Sequence, residues 1–145
     1  MKYATLLCLA GTFCSTLAYA GPVEDRQALM KSNGQAMGVL GATAKGEREF
    51  DAAAVMAALE QLDANAKKLD VEALFPEGSG GGESKAAPKI WEDMEGFKAA
   101  ADKFKEAAAA SASAAPDSLE ALQPHVGAVG QTCGACHEVY RLPST

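Results

Sequence analysis

The chain has 145 residues, a formal net charge of −6, 48% hydrophobic and 6% aromatic residues, four cysteines and two histidines. That length suits one domain with its own core. Its acidic and basic residues are interspersed, which excludes the basic stripe a nucleic-acid binder needs.

The N-terminus reads "MKYATLLCLAGTFCSTLAYA": an early lysine, an apolar run from Ala4 to Leu17, then Ala18-Tyr19-Ala20. This pattern predicts a secretory signal peptide over residues 1–20, cleaved at an A-x-A site, and hence a periplasmic location. The run is too short and too polar for a membrane anchor, which needs roughly 20 apolar residues, so no membrane association is expected after cleavage. Loss of Lys2 moves the formal charge from −6 to −7, and a protein partner is therefore expected to present a basic surface. Cys8 and Cys14 leave with the signal, and Cys133 and Cys136 remain in a single domain over residues 21–145.

Within that domain alanine is abundant, β-branched residues are sparse and apolar residues recur at helical spacing, which predicts an all-α fold. The first helix is expected over about 23–46, after Pro22, with Glu24 and Asp25 favouring its N-terminal dipole and Met30, Met37 and Ala44 recurring every seven residues. The second, about 51–69, places Val55, Leu59, Leu62, Ala66 and Leu69 in a bundle seam. The third, about 88–115, does the same with Trp91, Met94, Phe97, Ala101, Phe104 and Ala108. The fourth, about 117–142, carries Leu119, Leu122, Val126, Val129, Cys133, Cys136 and Tyr140, with Pro124 either kinking it or marking its start. The connections "GERE" and "AAPDS" are short and favour antiparallel neighbours, whereas "PEGSGGGESKAAP" is expected to be a flexible loop. The predicted architecture is an antiparallel up-down-up-down four-helix bundle.

The chemistry sits in "GQTCGACHEVYRLP". Residues three apart on a helix share a face about 4.5 Å apart along the axis, so Cys133 and Cys136 reach one edge of a flat ligand and His137 follows in the same turn. C-x-x-C-H is the signature of covalent haem c attachment, with two thioethers to the haem vinyl groups and an axial imidazole on iron. A thioredoxin-like dithiol would need a βαβ context, and a structural zinc site usually wants four ligands. His125, about 18 Å from His137 along a continuous helix, cannot join the motif and reads as an exposed surface residue.

What occupies the opposite face of the iron decides the function. A methionine there gives an electron carrier and raises the reduction potential; an open position binds small gases. The candidates are Met30, Met37, Met56 and Met94. Met30 and Met37 are about 10.5 Å apart along the helix, so at most one of them reaches a given iron. Gly34, one turn from Met30, would let a flat macrocycle approach, so the residues themselves leave Met30 or Met37, with Met30 favoured.

The terminal C-x-x-C-H, the N-terminal "RQALMKSNGQAMGVLGATAKGE" and the third helix opening "PKIWEDMEGFKAAADKF" together resemble the cytochrome c′ family, the class II cytochromes c, over essentially the whole mature chain. The resemblance implies one haem inside the bundle, attached through Cys133 and Cys136, with His137 as proximal iron ligand and Arg141 as the basic residue beside it. The run Arg26-Gln27-Ala28-Leu29-Met30 is similar to the low-spin branch, which implies Met30 as distal ligand. Dimerisation through the first two helices is also a family trait.

Arg26 is a candidate for a haem propionate contact, since arginine pairs well with carboxylates, or else a surface residue. Trp91 and Tyr140 read as packing residues. No catalytic triad, paired carboxylates or phosphate loop is evident, so the expected function is one-electron transfer to a redox partner protein rather than enzymatic catalysis. The alternatives are a five-coordinate site binding nitric oxide or carbon monoxide, and a dithiol-disulfide protein.

Overall fold

The computed structural model describes residues 21–143; the expected signal peptide lies outside them. Six helices follow one another: α1 Pro22–Ala44, α2 Ala52–Lys68, α3 Val71–Leu74, α4 Lys89–Glu92, α5 Met94–Ala114 and α6 Leu119–Tyr140. The long helices α1, α2, α5 and α6 form the up-down-up-down bundle, with α1 and α5 each packed against both α2 and α6. Among the described residues no helix is long and apolar enough to cross a membrane.

Local chemistry sets the ends. Pro22 opens α1, where its missing N–H has no helical partner to lose. Gly46, at φ +73°, turns the chain out of that helix as its N–H bonds the Thr43 carbonyl at 2.9 Å. Side chains accept from the first backbone N–H groups at Asp51 for α2, Asp70 for α3 and Ser118 for α6, satisfying donors that would otherwise be orphaned.

The expected third helix is two. Asp93 leaves the helical region at φ −140° and caps the restart, its carboxylate accepting from Gly96 N at 3.1 Å. Pro124 does not mark the start of the fourth helix, which begins at Leu119 and runs through it.

In α1 the buried stripe is Arg26, Leu29, Asn33, Ala36, Leu40 and Thr43. Met30, Met37 and Ala44, which recur every seven residues, flank it, half-buried, each one position beyond a buried residue. Hydropathy misses this register because three of the six inward positions are polar. Asn33 Oδ1 accepts from Asn65 Nδ2 of α2 at 2.8 Å, and Asn65 Nδ2 also reaches Ser32 Oγ at 2.8 Å; a buried amide is tolerated when so paired. Leu40, Val55, Leu59, Leu62, Leu122 and Val129 fill the core at 1% exposure or less.

The long connection is pinned rather than loose. The Arg26 guanidinium donates to the Leu74 carbonyl and Ser79 Oγ, both at 2.9 Å, to the Ser79 carbonyl and to Ser84 Oγ. It also lies 4.9 Å from the Phe75 ring centroid, a cation–π distance. Trp91 Nε1 donates to the Phe75 and Pro76 carbonyls at 3.1 and 3.2 Å. The far end pairs with the C-terminal segment: Ala86 and Arg141 form an isolated antiparallel bridge, Ala87 N bonds the Tyr140 carbonyl at 3.0 Å and Leu142 N the Lys85 carbonyl at 2.8 Å.

Candidate haem site

Helix α6 carries Cys133, Cys136 and His137 together, with both cysteines half-buried and unbridged. They face two cavities between α1, α5 and α6. The larger, about 530 Å³, is lined by His137, Cys136, Met30, Phe97 and Tyr140 among others; the smaller, about 260 Å³, by His137, Cys133, Cys136, Met30, Met37 and Gly34 among others. The larger volume is within the range of pockets that bind organic ligands.

Met30 is the one methionine of the described residues that lines both cavities; Met37 lines only the smaller, and Met56 and Met94 line neither. Met37 also lies against Gly130, where an added Cβ would stand 3.9 Å from its terminal methyl, which makes it a packing residue on α6. At Gly34 an added Cβ would meet nothing within 4 Å, so bare α1 backbone borders the smaller cavity. A flat macrocycle with two vinyl groups and a metal fits this arrangement: an apolar slot, two thiols and an imidazole on one wall, and a thioether sulfur on another. Among the described residues no group of three His, Cys, Asp or Glu is placed to hold a metal ion by itself.

Burial pushes the thiol pKa of both cysteines up, and for Cys136 the neighbouring Cys133 adds to it. The His137 imidazole edge opens onto the cavities, but the surrounding protein and, secondarily, the Arg141 charge hold its pKa below the ordinary value. Its neutral, metal-binding form is thereby favoured.

Arg26 is 4% exposed, so it is not a surface residue; it lines the larger cavity while holding the 74–84 segment. Burial lowers its pKa, opposed by Glu24. Arg141 lines the same cavity one turn beyond His137. Tyr140 packs edge-to-face on Phe97 at 5.1 Å and donates its hydroxyl to Asp93 at 3.0 Å. Trp91 secures the connecting segment, and His125 is half-buried on α6, lining neither cavity. Sequence reasoning missed Lys31, Lys85 and Asn33 as cavity residues. Only the inward polar position of Asn33 on α1 offered a signal for any of them.

The Cytochrome C′ family matches residues 21–141 of this chain. The chain belongs to the cytochrome c′ family. It is a monohaem c-type cytochrome carrying covalent haem c. It is similar to a cytochrome c-556 of Agrobacterium fabrum (strain C58), 42% identical over 143 residues, covering 98% of this chain and 96% of the relative. It is also similar to a cytochrome c-554 of Cereibacter sphaeroides, 40% identical over 122 residues, covering 82% and 91%. Among solved structures, cytochrome c′ from Rhodopseudomonas palustris superposes with a TM-score of 0.78 at 34% identity, covering 87% of this chain and 99% of that one. The structure of oxidised R. palustris cytochrome c556 gives 0.74 at 36% identity, covering 86% and 98%.

Proposed function

We propose that this cytochrome is a periplasmic one-electron carrier, exported by residues 1–20 and not an enzyme. Cys133 and Cys136 attach the haem, and His137 and Met30 occupy the two axial positions of its iron. The observation that carries this reading is that Met30 borders both cavities bordered by His137, whereas Met37, Met56 and Met94 do not. Bound haem supplies the one-electron couple. The chain's own part is to hold an imidazole in its neutral form, to fix a thioether opposite it so that little rearranges between oxidation states, and to keep the surrounding walls apolar. The relatives named cytochrome c-556 and c-554 support a monohaem c-type cytochrome, the class to which such a carrier belongs. The raised thiol pKa values speak against a dithiol enzyme, whose attacking cysteine needs a lowered one.

The test is the optical and spin-state spectrum of the mature holoprotein in both oxidation states, with and without carbon monoxide. The carrier gives low-spin spectra indifferent to the gas, and Met30→Ala turns them high-spin and gas-sensitive. A high-spin native spectrum that shifts with carbon monoxide would replace the carrier with a gas-binding protein.

A further inference from the structure

The smaller cavity has largely apolar walls, with Leu69, Ala101 and Phe104 beside Met30 and Met37, yet a buried amide stands at its edge. Asn33 lines this cavity and is only 7% exposed. A relay of amides from α2 fixes how its side chain is turned. Gln61 Nε2 donates to Asn65 Oδ1 at 2.9 Å, and Asn65 Nδ2 donates in turn to Ser32 Oγ and Asn33 Oδ1, both at 2.8 Å. The Asn33 oxygen is thereby committed to α2, and its Nδ2 has no acceptor among the described residues. No fully buried side-chain nitrogen or oxygen of the described residues lacks a partner, so Nδ2 keeps a little open surface, and the open space that Asn33 borders is the cavity. An amide donor in apolar surroundings is costly unless it meets an acceptor.

Other donors on those walls are taken. The Thr132 hydroxyl donates to the Val129 carbonyl at 2.8 Å, and haem attachment uses Cys133, Cys136 and His137. Within reach of Asn33 is a thioether. Met30 lies one turn toward the N-terminus of α1 and borders the same cavity. Residues three apart on a helix have Cβ atoms about 5–6 Å apart, and helical side chains tilt toward the N-terminus, so Asn33 leans over Met30. A thioether sulfur that binds a metal through one lone pair keeps a second with which to accept a hydrogen bond.

We infer that Asn33 is a positioning residue for the distal ligand: its Nδ2, turned by Asn65, donates to Met30 Sδ. The inference rests on the His137 and Met30 ligation proposed above. With one lone pair of the sulfur held by the amide, the other is aimed at the iron, which selects one configuration of the sulfur. The same bond draws electron density from the sulfur and weakens its donation to oxidised iron more than to reduced iron. Its effect is to raise the potential, since hydrogen bonding outside the ligands is one of the levers by which a protein tunes a haem.

The experiment compares the wild-type holoprotein with Asn33→Leu and Ser32→Ala. Ser32→Ala removes another bond of the same inter-helix network and leaves the Asn33 donor in place; unfolding of the apoproteins measures the structural loss in each. The potential of Asn33→Leu is expected to fall, so that at a fixed poise the ratio of oxidised to reduced protein rises several-fold, while Ser32→Ala keeps the wild-type potential. In NMR spectra of the reduced wild-type holoprotein, the Asn33 side-chain amide is expected to exchange slowly and to show a cross-peak to the Met30 ε-methyl. An unchanged or raised potential in Asn33→Leu, equal falls in the two variants, or a freely exchanging Asn33 amide in the wild type overturns the hydrogen bond and leaves the carrier intact. The amide measurement decides the matter even where a variant fails to fold. A native iron that is high-spin and takes up carbon monoxide overturns the carrier reading, and the bond to a ligating sulfur with it.

Discussion

The Arg26 guanidinium and the Ser84 hydroxyl, 58 residues apart, hydrogen-bond inside the protein. This contact, with those to Leu74 and Ser79, converts a Gly/Ser-rich segment into a fixed wall of the larger cavity. Arg26→Met keeps an apolar stem beside Phe75 and removes the donors. Hydrogen bonds from a charged group are worth roughly 1.5–3 kcal/mol each and are not additive within one cluster, so a loss of about 2–4 kcal/mol is expected in denaturant unfolding. Amide exchange over residues 77–84 should accelerate with it. Arg26→Lys recovers only part of the loss, since a single ammonium cannot span acceptors arranged for a planar fork. A change within about 0.5 kcal/mol, the range of ordinary surface substitutions, would show that the segment holds itself.

Gly34 separates haem binding from folding. Its added Cβ meets nothing within 4 Å, and glycine in a helix interior costs about 0.8–1.0 kcal/mol relative to alanine. Gly34→Ala therefore stabilises the apoprotein by up to about 1 kcal/mol. Gly34→Leu folds equally well but fills the slot, so haem content per protein after expression with the attachment machinery drops sharply. Full loading of the Gly34→Leu protein would place the macrocycle elsewhere.

The parts legible in the sequence are those where residue type and spacing carry the physics directly. C-x-x-C-H marked the face of α6, and the alternating gaps of Val55, Leu59, Leu62 and Ala66 marked the inner side of α2, where all four are buried. In α1 hydropathy failed because Arg26, Asn33 and Thr43 point inward. Their burial depends on partners in α2 and in the segment after α3, far away in sequence, or on the helix's own Val39 carbonyl for Thr43. The split at Asp93 was equally hidden, since its capping role emerges only from the backbone angles there. The cations that line the larger cavity, Arg26, Lys31, Lys85 and Arg141, come from positions that no local pattern connects.

Cys133 and Cys136, the two cysteines of the described residues, offer a measurement of reactivity. Burial raises both thiol pKa values above 9.0, and the thiolate is the species that reacts. Alkylation of the apoprotein is therefore expected to be slower at neutral pH than that of an unperturbed cysteine, and to keep rising with pH beyond the point where an unperturbed thiol levels off. Rapid alkylation that levels off near neutral pH would reveal a thiolate and favour dithiol chemistry.

His137 gives the apoprotein a sensitivity to acid. Burial, then the Arg141 charge, holds its folded pKa below 6.5, so as pH falls the unfolded chain takes up the proton first. Stability rises with pH wherever the unfolded state binds more protons. This residue therefore has no effect well above pH 6.5, and stability is lost as pH drops from there through the folded pKa. His137→Gln should remove that component of the pH–stability curve. Arg141→Gln should raise the imidazole titration midpoint, read by NMR on the apoprotein with the His125→Gln variant assigning the two rings. A midpoint unchanged by Arg141→Gln would leave burial as the sole cause. The shift keeps the imidazole lone pair available in mildly acidic surroundings, which is the form that an axial ligand requires.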